Sequence, residues 1–141
     1  MDQLITFAEQ NFILSTVWVV LFILLIFSFI SPALAKYKRV NNHEATMLIN
    51  KNDATVLDIR PQKDFRAGHI QGATQLKPEQ VRQGEFGKLE KKKSAPIVVV
   101  CAMGNQATGT ASKMVKDGFE DVYVLEGGMS SWTSAGLPVS K

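Results

Sequence analysis

The chain has 141 residues and a formal net charge of +3, but the charge is unevenly placed. Residues 1–35 hold only Asp2 and Glu9, a net of −2, whereas the 106 residues from 36 to 141 carry all 16 Lys and Arg against 11 acidic residues. That second piece is long enough for one domain with a real core and too short for two. A single cysteine, Cys101, excludes an internal disulfide framework and any cysteine cluster for zinc or iron and sulfur. His43 and His69 are the only histidines, so no metal set can be assembled and neither metal nor cofactor is expected.

Residues 1–11 form a short N-terminal segment. From Phe12 to Ile30 there are 19 residues without a charge. As a helix they would cover roughly 28 Å, close to the hydrocarbon thickness of a bilayer. A buried helix of a soluble domain would show a polar stripe, and this stretch offers only Ser15, Thr16 and Ser28. Residues 12–35 are therefore expected to be a transmembrane helix and its exit, with membrane lipid as their partner. A cleaved signal peptide competes, because Ala33-Leu34-Ala35 resembles a small-residue cleavage site. Against it, the flank before the run is acidic and the run exceeds the roughly 7 to 15 residues of a signal core.

Lys36, Lys38 and Arg39 make residues 36–39 a basic juxtamembrane segment, which by the positive-inside bias places the rest of the chain in the cytoplasm. Pro32 is expected to end or bend the helix near its exit, and Tyr37 to sit at headgroup level. Residues 40–138 form the domain and 139–141 a C-terminal tail.

Within the domain, Asn41 followed by Glu44 has the form of a capping box and opens a short helix to about Asn50. Thr55 to Ile59, Ile97 to Val100 and Val122 to Leu125 are short runs rich in β-branched residues and apolar on both faces. Such runs favour a parallel sheet covered by helices. Thr108 to Asp117 reads as a helix with Gly118 as its stop, completing a strand, helix, strand crossover. Glu90 to Lys93 reads as the exposed end of another helix. A nucleic-acid surface would need a larger basic patch with stacking aromatics, so no nucleic-acid partner is expected.

Cys101 directly follows the strand ending at Val100, and the loop Ala102-Met103-Gly104-Asn105-Gln106 leads to the next helix. Ligands of parallel sheets bind outside the carboxyl ends of strands, facing the N–H groups of the following helix. Gly104 would let the loop curl so that several amides point at one centre, a setting that favours a nucleophilic thiolate. Equally, Cys101 is a small apolar residue that can simply end a buried strand. Asp58 and Arg60, two apart at a strand end, join Ala102 to Gln106 as candidate substrate-binding residues. The same pair also suits structural hydrogen bonds that hold the loop. His69 is expected to satisfy backbone groups, Gly127 and Gly128 to form a tight turn near the cysteine, and Trp132 to lie in the core.

Five spaced segments, Val56 to Arg60, Phe65 to Ala73, Cys101 to Asn105, Gly118-Phe119 and Gly127 to Trp132, resemble the rhodanese-like domain pattern in order. The resemblance implies an α/β fold with a five-stranded parallel sheet flanked by helices, preceded here by one N-terminal transmembrane helix. It also implies that Cys101 is the catalytic residue, taking a sulfane sulfur as a persulfide and passing it to a nucleophile. The whole chain is similar to single-pass bacterial members of the family, which implies the cell inner membrane. The pattern is broken at one place: many active members carry Arg two residues after the loop Gly, where this chain has Gln106. A neutral amide there weakens the expected binding of an anionic donor such as thiosulfate. It also argues against a cysteine phosphatase, whose arginine clamps the phosphoryl oxygens. Two functions remain open: a membrane-anchored sulfurtransferase or persulfide carrier with an external thiol or protein acceptor, or a catalytically weak interaction module for inner-membrane proteins.

Overall fold

A computed structural model describes residues 1–33 and 37–141, with side chains from 30 to 36 excepted. The chain forms two units, residues 1–35 and 36–141. Leu34, Ala35 and Lys36, which hold most of the cleavage-like motif and the first basic residue, lie outside the described residues.

The first unit contains helices α1 (Asp2–Gln10) and α2 (Phe12–Ala33). Helix α1 was not foreseen, and it buries none of its side chains. Among the described residues α2 is the one helix long and apolar enough to cross a membrane, and no residue from Phe12 to Phe29 is buried. A core helix of a soluble domain would bury such a surface against its neighbours.

The second unit runs β1 (Lys38–Val40), α3 (Asn42–Lys51), β2 (Thr55–Asp58), α4 (Gln62–Ala67), β3 (Thr74–Gln75) and α5 (Pro78–Arg82). A 3-10 turn (Gly87–Lys92), β4 (Ile97–Val100), α6 (Asn105–Lys116), β5 (Val122–Leu125) and α7 (Gly128–Ser134) follow. The five strands form one sheet in the order β1-β5-β4-β2-β3, and every neighbouring pair is parallel. Parallel neighbours need crossovers, which accounts for the helix placed between successive strands.

Central β4 is buried along its whole length. Its alternation sends Ile97, Val99 and Cys101 into one core cluster with Val81 of α5 and Ala107, Ala111 and Met114 of α6. Val98 and Val100 enter the opposite cluster with Ala45 of α3 and Met129 and Trp132 of α7. Helices therefore cover both faces, as a run of branched apolar residues without polar alternation requires.

The capping box is formed: Glu44 N–H donates to Asn41 Oδ1 and Asn41 N–H to Glu44 Oε2, both at 2.9 Å. Three expectations are corrected. Helix α6 begins at Asn105 rather than Thr108, because Gly104 at φ +92° turns the chain straight into the helix. Lys38 and Arg39 belong to edge strand β1, paired with Tyr123 and Val124, rather than only to a basic exit. Tyr37 packs against the core of the domain, drawn alongside it by that pairing. The basic run is largely engaged within the domain: Lys92 donates to Thr55 Oγ1, Lys93 pairs with Glu90, and Lys93 lies over the Phe119 ring.

Replacing Asn41 by Ala leaves the Glu44 amide without its cap and should lower unfolding free energy by about 1 kcal/mol in urea titrations.

Candidate active site

Cys101 stands where the sequence placed it, one residue beyond the carboxyl end of β4 and three before Gly104. Its thiol accepts the Gly104 N–H at 2.9 Å. The surroundings differ from the expected centre at which several amides converge. The residue is 2% exposed, and among the described residues Gly104 supplies the one recorded hydrogen bond to the sulfur. Nearby amides are engaged elsewhere: Met129 N–H donates to the Cys101 carbonyl at 2.9 Å and Ser130 N–H to the Ala102 carbonyl at 3.0 Å. The burial follows from strand alternation, which turns Cys101 to the same face as Ile97 and Val99, under α6.

Gly104, Gly127 and Gly128 all have positive φ and meet in this clasp. A Cβ on Gly104 would come within 3.1 Å of the Gly127 nitrogen, and one on Gly128 would collide with the Cys101 carbonyl oxygen and lie 2.8 Å from the Ala102 carbonyl carbon. The tight turn read for Gly127-Gly128 is thus present, and its tightness fixes the path of the cysteine loop.

Ala102 and Met103 are exposed, Met103 at 70%. Asn105 and Gln106, expected in the loop, occupy the first turn of α6 and are also exposed. First-turn N–H groups have no partner four residues back within the helix, and in α6 they lie at the end where the Cys101 loop enters.

Asp58 and Arg60 form a buried pair, 1% and 9% exposed. Arg60 Nε donates to both Asp58 oxygens at 3.0 and 3.1 Å, and Nη2 donates to Asp58 Oδ2 at 2.8 Å and to the Gly68 carbonyl at 2.7 Å. Arg60 N–H also donates to Asp58 Oδ1, and Gln75 Nε2 donates to the Arg60 carbonyl. The pair therefore joins β2, β3 and the turn after α4. Gln75 and Gly68 complete that network, and nothing in the sequence alone marked Gln75 for it.

Arg60 also borders a shallow cleft of about 410 Å³ with Ala102, Met103, Met129 and Ser130. His69 behaves as read from its turn, with Nδ1 2.8 Å from the Phe65 carbonyl and its ring stacked on Phe65. Its backbone bridges Ser140, so the C-terminal residues are held against that turn. Trp132 lies in the core, 4% exposed, and donates its Nε1–H to the Pro138 carbonyl. Among the described residues no group of three or more His, Cys, Asp or Glu could hold a metal.

The sequence profile of the rhodanese-like domain matches residues 41–135, two thirds of the chain. This chain belongs to the rhodanese-like domain family. YibN of Escherichia coli strain K12 is 37% identical over 139 residues, spanning 99% of this chain and 97% of that protein. The thiosulfate sulfurtransferase GlpE of Pseudoalteromonas translucida is 35% identical over 99 residues, 70% of this chain and 91% of its own. A rhodanese-related protein of Thermoplasma volcanium superposes with a TM-score of 0.61 at 26% identity, over 74% of this chain and 98% of that one. The likeness to GlpE takes in 70% of this chain, whereas the likeness to YibN takes in 99% of it and so includes the apolar helix.

Two substitutions test this rhodanese-like site as built. Asp58→Ala strands the Arg60 guanidinium in a buried position and should cost about 3–5 kcal/mol in urea unfolding. Gly128→Ala should destabilise by more than about 1 kcal/mol, because backbone rather than a movable side chain opposes the added methyl.

Proposed function

We propose that the protein is a membrane-anchored sulfurtransferase or persulfide carrier whose nucleophile is Cys101. The observation that carries this reading is the Gly104 N–H donated to the thiol at the mouth of a parallel sheet. The relation of the domain to GlpE sulfurtransferases supports it. In the first half-reaction the Cys101 thiolate attacks the outer sulfur of a sulfane donor. With thiosulfate the sulfur–sulfur bond breaks, sulfite departs with the electron pair, and Cys101 is left as a persulfide. In the second, an external nucleophile takes that outer sulfur and the thiolate is restored. No second cysteine is present to resolve the persulfide, so the acceptor is a small thiol, another nucleophile or a partner protein.

The persulfide extends the reactive atom about 2 Å beyond Sγ. Transfer then needs local opening over the sulfur, which is 2% exposed in the core cluster it shares with Ala107 and Ala111 of α6. Asp58 and Arg60 act as positioning residues through the hydrogen bonds that fix the end of β2. Gln106 supplies a neutral amide where many relatives carry a cation, so thiosulfate is handled weakly. The bilayer is the inner membrane of a bacterium, α2 is a retained anchor, and the domain faces the cytoplasm, where its thiol stays reduced.

A second reading has its own support. Cys101 is 2% exposed while Met103 beside it is 70% exposed, an arrangement suited to a rhodanese-like module that docks an inner-membrane protein.

Mass spectrometry after incubation with several sulfane donors should show the folded protein gaining one sulfur atom, and Cys101→Ser gaining none. If the Ser variant keeps every crosslinked partner and every cellular phenotype, the docking module is the function. The intact chain, residues 1–35 included, should also stay in the membrane fraction through carbonate extraction. A soluble shortened product would identify α2 as a signal sequence.

A further inference from the structure

Helix α1 carries an apolar face that no other described residue covers. At roughly 100° per residue, Leu4, Ile5 and Ala8 fall on one side of the helix with Phe7 on their flank. Asp2, Gln3, Thr6, Glu9 and Gln10 fill the other side without interruption. Leu4, Ile5 and Phe7 are each more than half exposed. A helix of nine residues is marginal in water, so a face of this kind needs a surface to lie on.

The chain itself brings that surface near. Asn11 alone separates α1 from α2, and its backbone is not helical, with φ −123° and ψ 48°. Its N–H and its Nδ2 donate to the Phe7 carbonyl at 3.0 and 3.2 Å, closing α1, and its own carbonyl accepts the Ser15 N–H at 2.9 Å, opening α2. Helix α1 is therefore a separate element and not an extension of the span. With 22 residues α2 already covers about 33 Å, the whole hydrocarbon depth, and Asp2 and Glu9 further exclude α1 from that depth. The apolar face thus begins within a turn or two of the point where α2 meets the bilayer surface. No Lys or Arg lies in α1, so apolar insertion and not attraction to anionic headgroups must hold it there. A second copy is the weaker occupant, because one nine-residue face offers far less than the roughly 1,000 Å² that a specific protein interface buries.

We propose that α1 is an interfacial helix lying in the plane of the bilayer surface. Leu4, Ile5, Ala8 and Phe7 sit among the lipid chains just below the headgroups, and Thr6, Glu9 and Gln10 face water. Its partner is a neutral or zwitterionic lipid surface, and its role is to hold the far end of α2 at a fixed depth. The inference rests on the proposed membrane anchor, and the test separates the two.

Full-length Cys101→Ser protein, which lacks the native thiol, is reconstituted in phosphatidylcholine vesicles with one nitroxide label per variant. Collisions of the label with oxygen, which concentrates in lipid, are compared with those of a water-soluble nickel chelate. Labels at Leu4→Cys, Ile5→Cys and Ala8→Cys should favour oxygen, and labels at Thr6→Cys, Glu9→Cys and Gln10→Cys the chelate, so that the preference follows the helical period. Ile5→Gln, read from Ala8→Cys, should reduce the oxygen preference, and Thr6→Gln should leave it unchanged. Exchanging part of the phosphatidylcholine for phosphatidylglycerol should not raise it. Uniform chelate access along α1, or a preference that rises with anionic lipid, overturns the proposal. So does spin–spin broadening at Leu4→Cys that unlabelled protein dilutes away, which assigns the face to a second copy. A label at Ile23→Cys in α2 tests the anchor by itself. Chelate access there refutes anchor and inference together, whereas lipid at Ile23 with water at Leu4 refutes the inference alone.

Discussion

Two backbone hydrogen bonds hold the site together. Met129 N–H and Ser130 N–H, in the first turn of α7, reach the carbonyls of Cys101 and Ala102. They tie the segment leaving β4 to the one leaving β5, and they form only because Gly104, Gly127 and Gly128 let the two backbones approach closely. The path of the cysteine loop is thereby set by main chain. A loop fixed in this way tolerates varied side chains at Ala102, Met103, Asn105 and Gln106, all of which face outward.

The Asp58–Arg60 pair does comparable work from the other side. Its guanidinium satisfies a carboxylate and a carbonyl at once, and the Arg60 carbonyl is in turn held by Gln75. A buried pair contributes little net stability over an apolar equivalent, but it defines geometry because an unpaired charge there is costly. Here the geometry defined is that of the chain leaving β2, next to the Cys101 loop across the sheet. The polar residues beside the sulfur are thus mainly used to hold backbone in place.

Much of the domain was legible in the chain because its signals are local. The capping box at Asn41 and Glu44 depends on residues three apart, and it formed as read. The three branched runs became β2, β4 and β5, and their lack of polar alternation gave the parallel, doubly covered sheet. Strands β1 and β3 left no such trace. Lys38-Arg39-Val40 and Thr74-Gln75 are two or three residues long and largely polar, so only pairing with β5 and β2 makes them strands. The start of α6 was misplaced for a related reason: the left-handed turn at Gly104 shortens the loop, and periodicity cannot register a turn. Helices α4, α5 and α7 have five to seven residues, too short for a helical period to stand out.

The sequence by itself determined that an uncharged helix precedes one α/β domain, and that its single cysteine follows a buried strand. Those facts depend on composition and on the order of residues along one stretch of chain. Tertiary structure alone decided how that cysteine is housed. Strand alternation turned the thiol under α6, and the α7 amides went to loop carbonyls. Which groups share a cleft depends on how separate helices pack onto a common sheet, and that packing is distributed over the whole core.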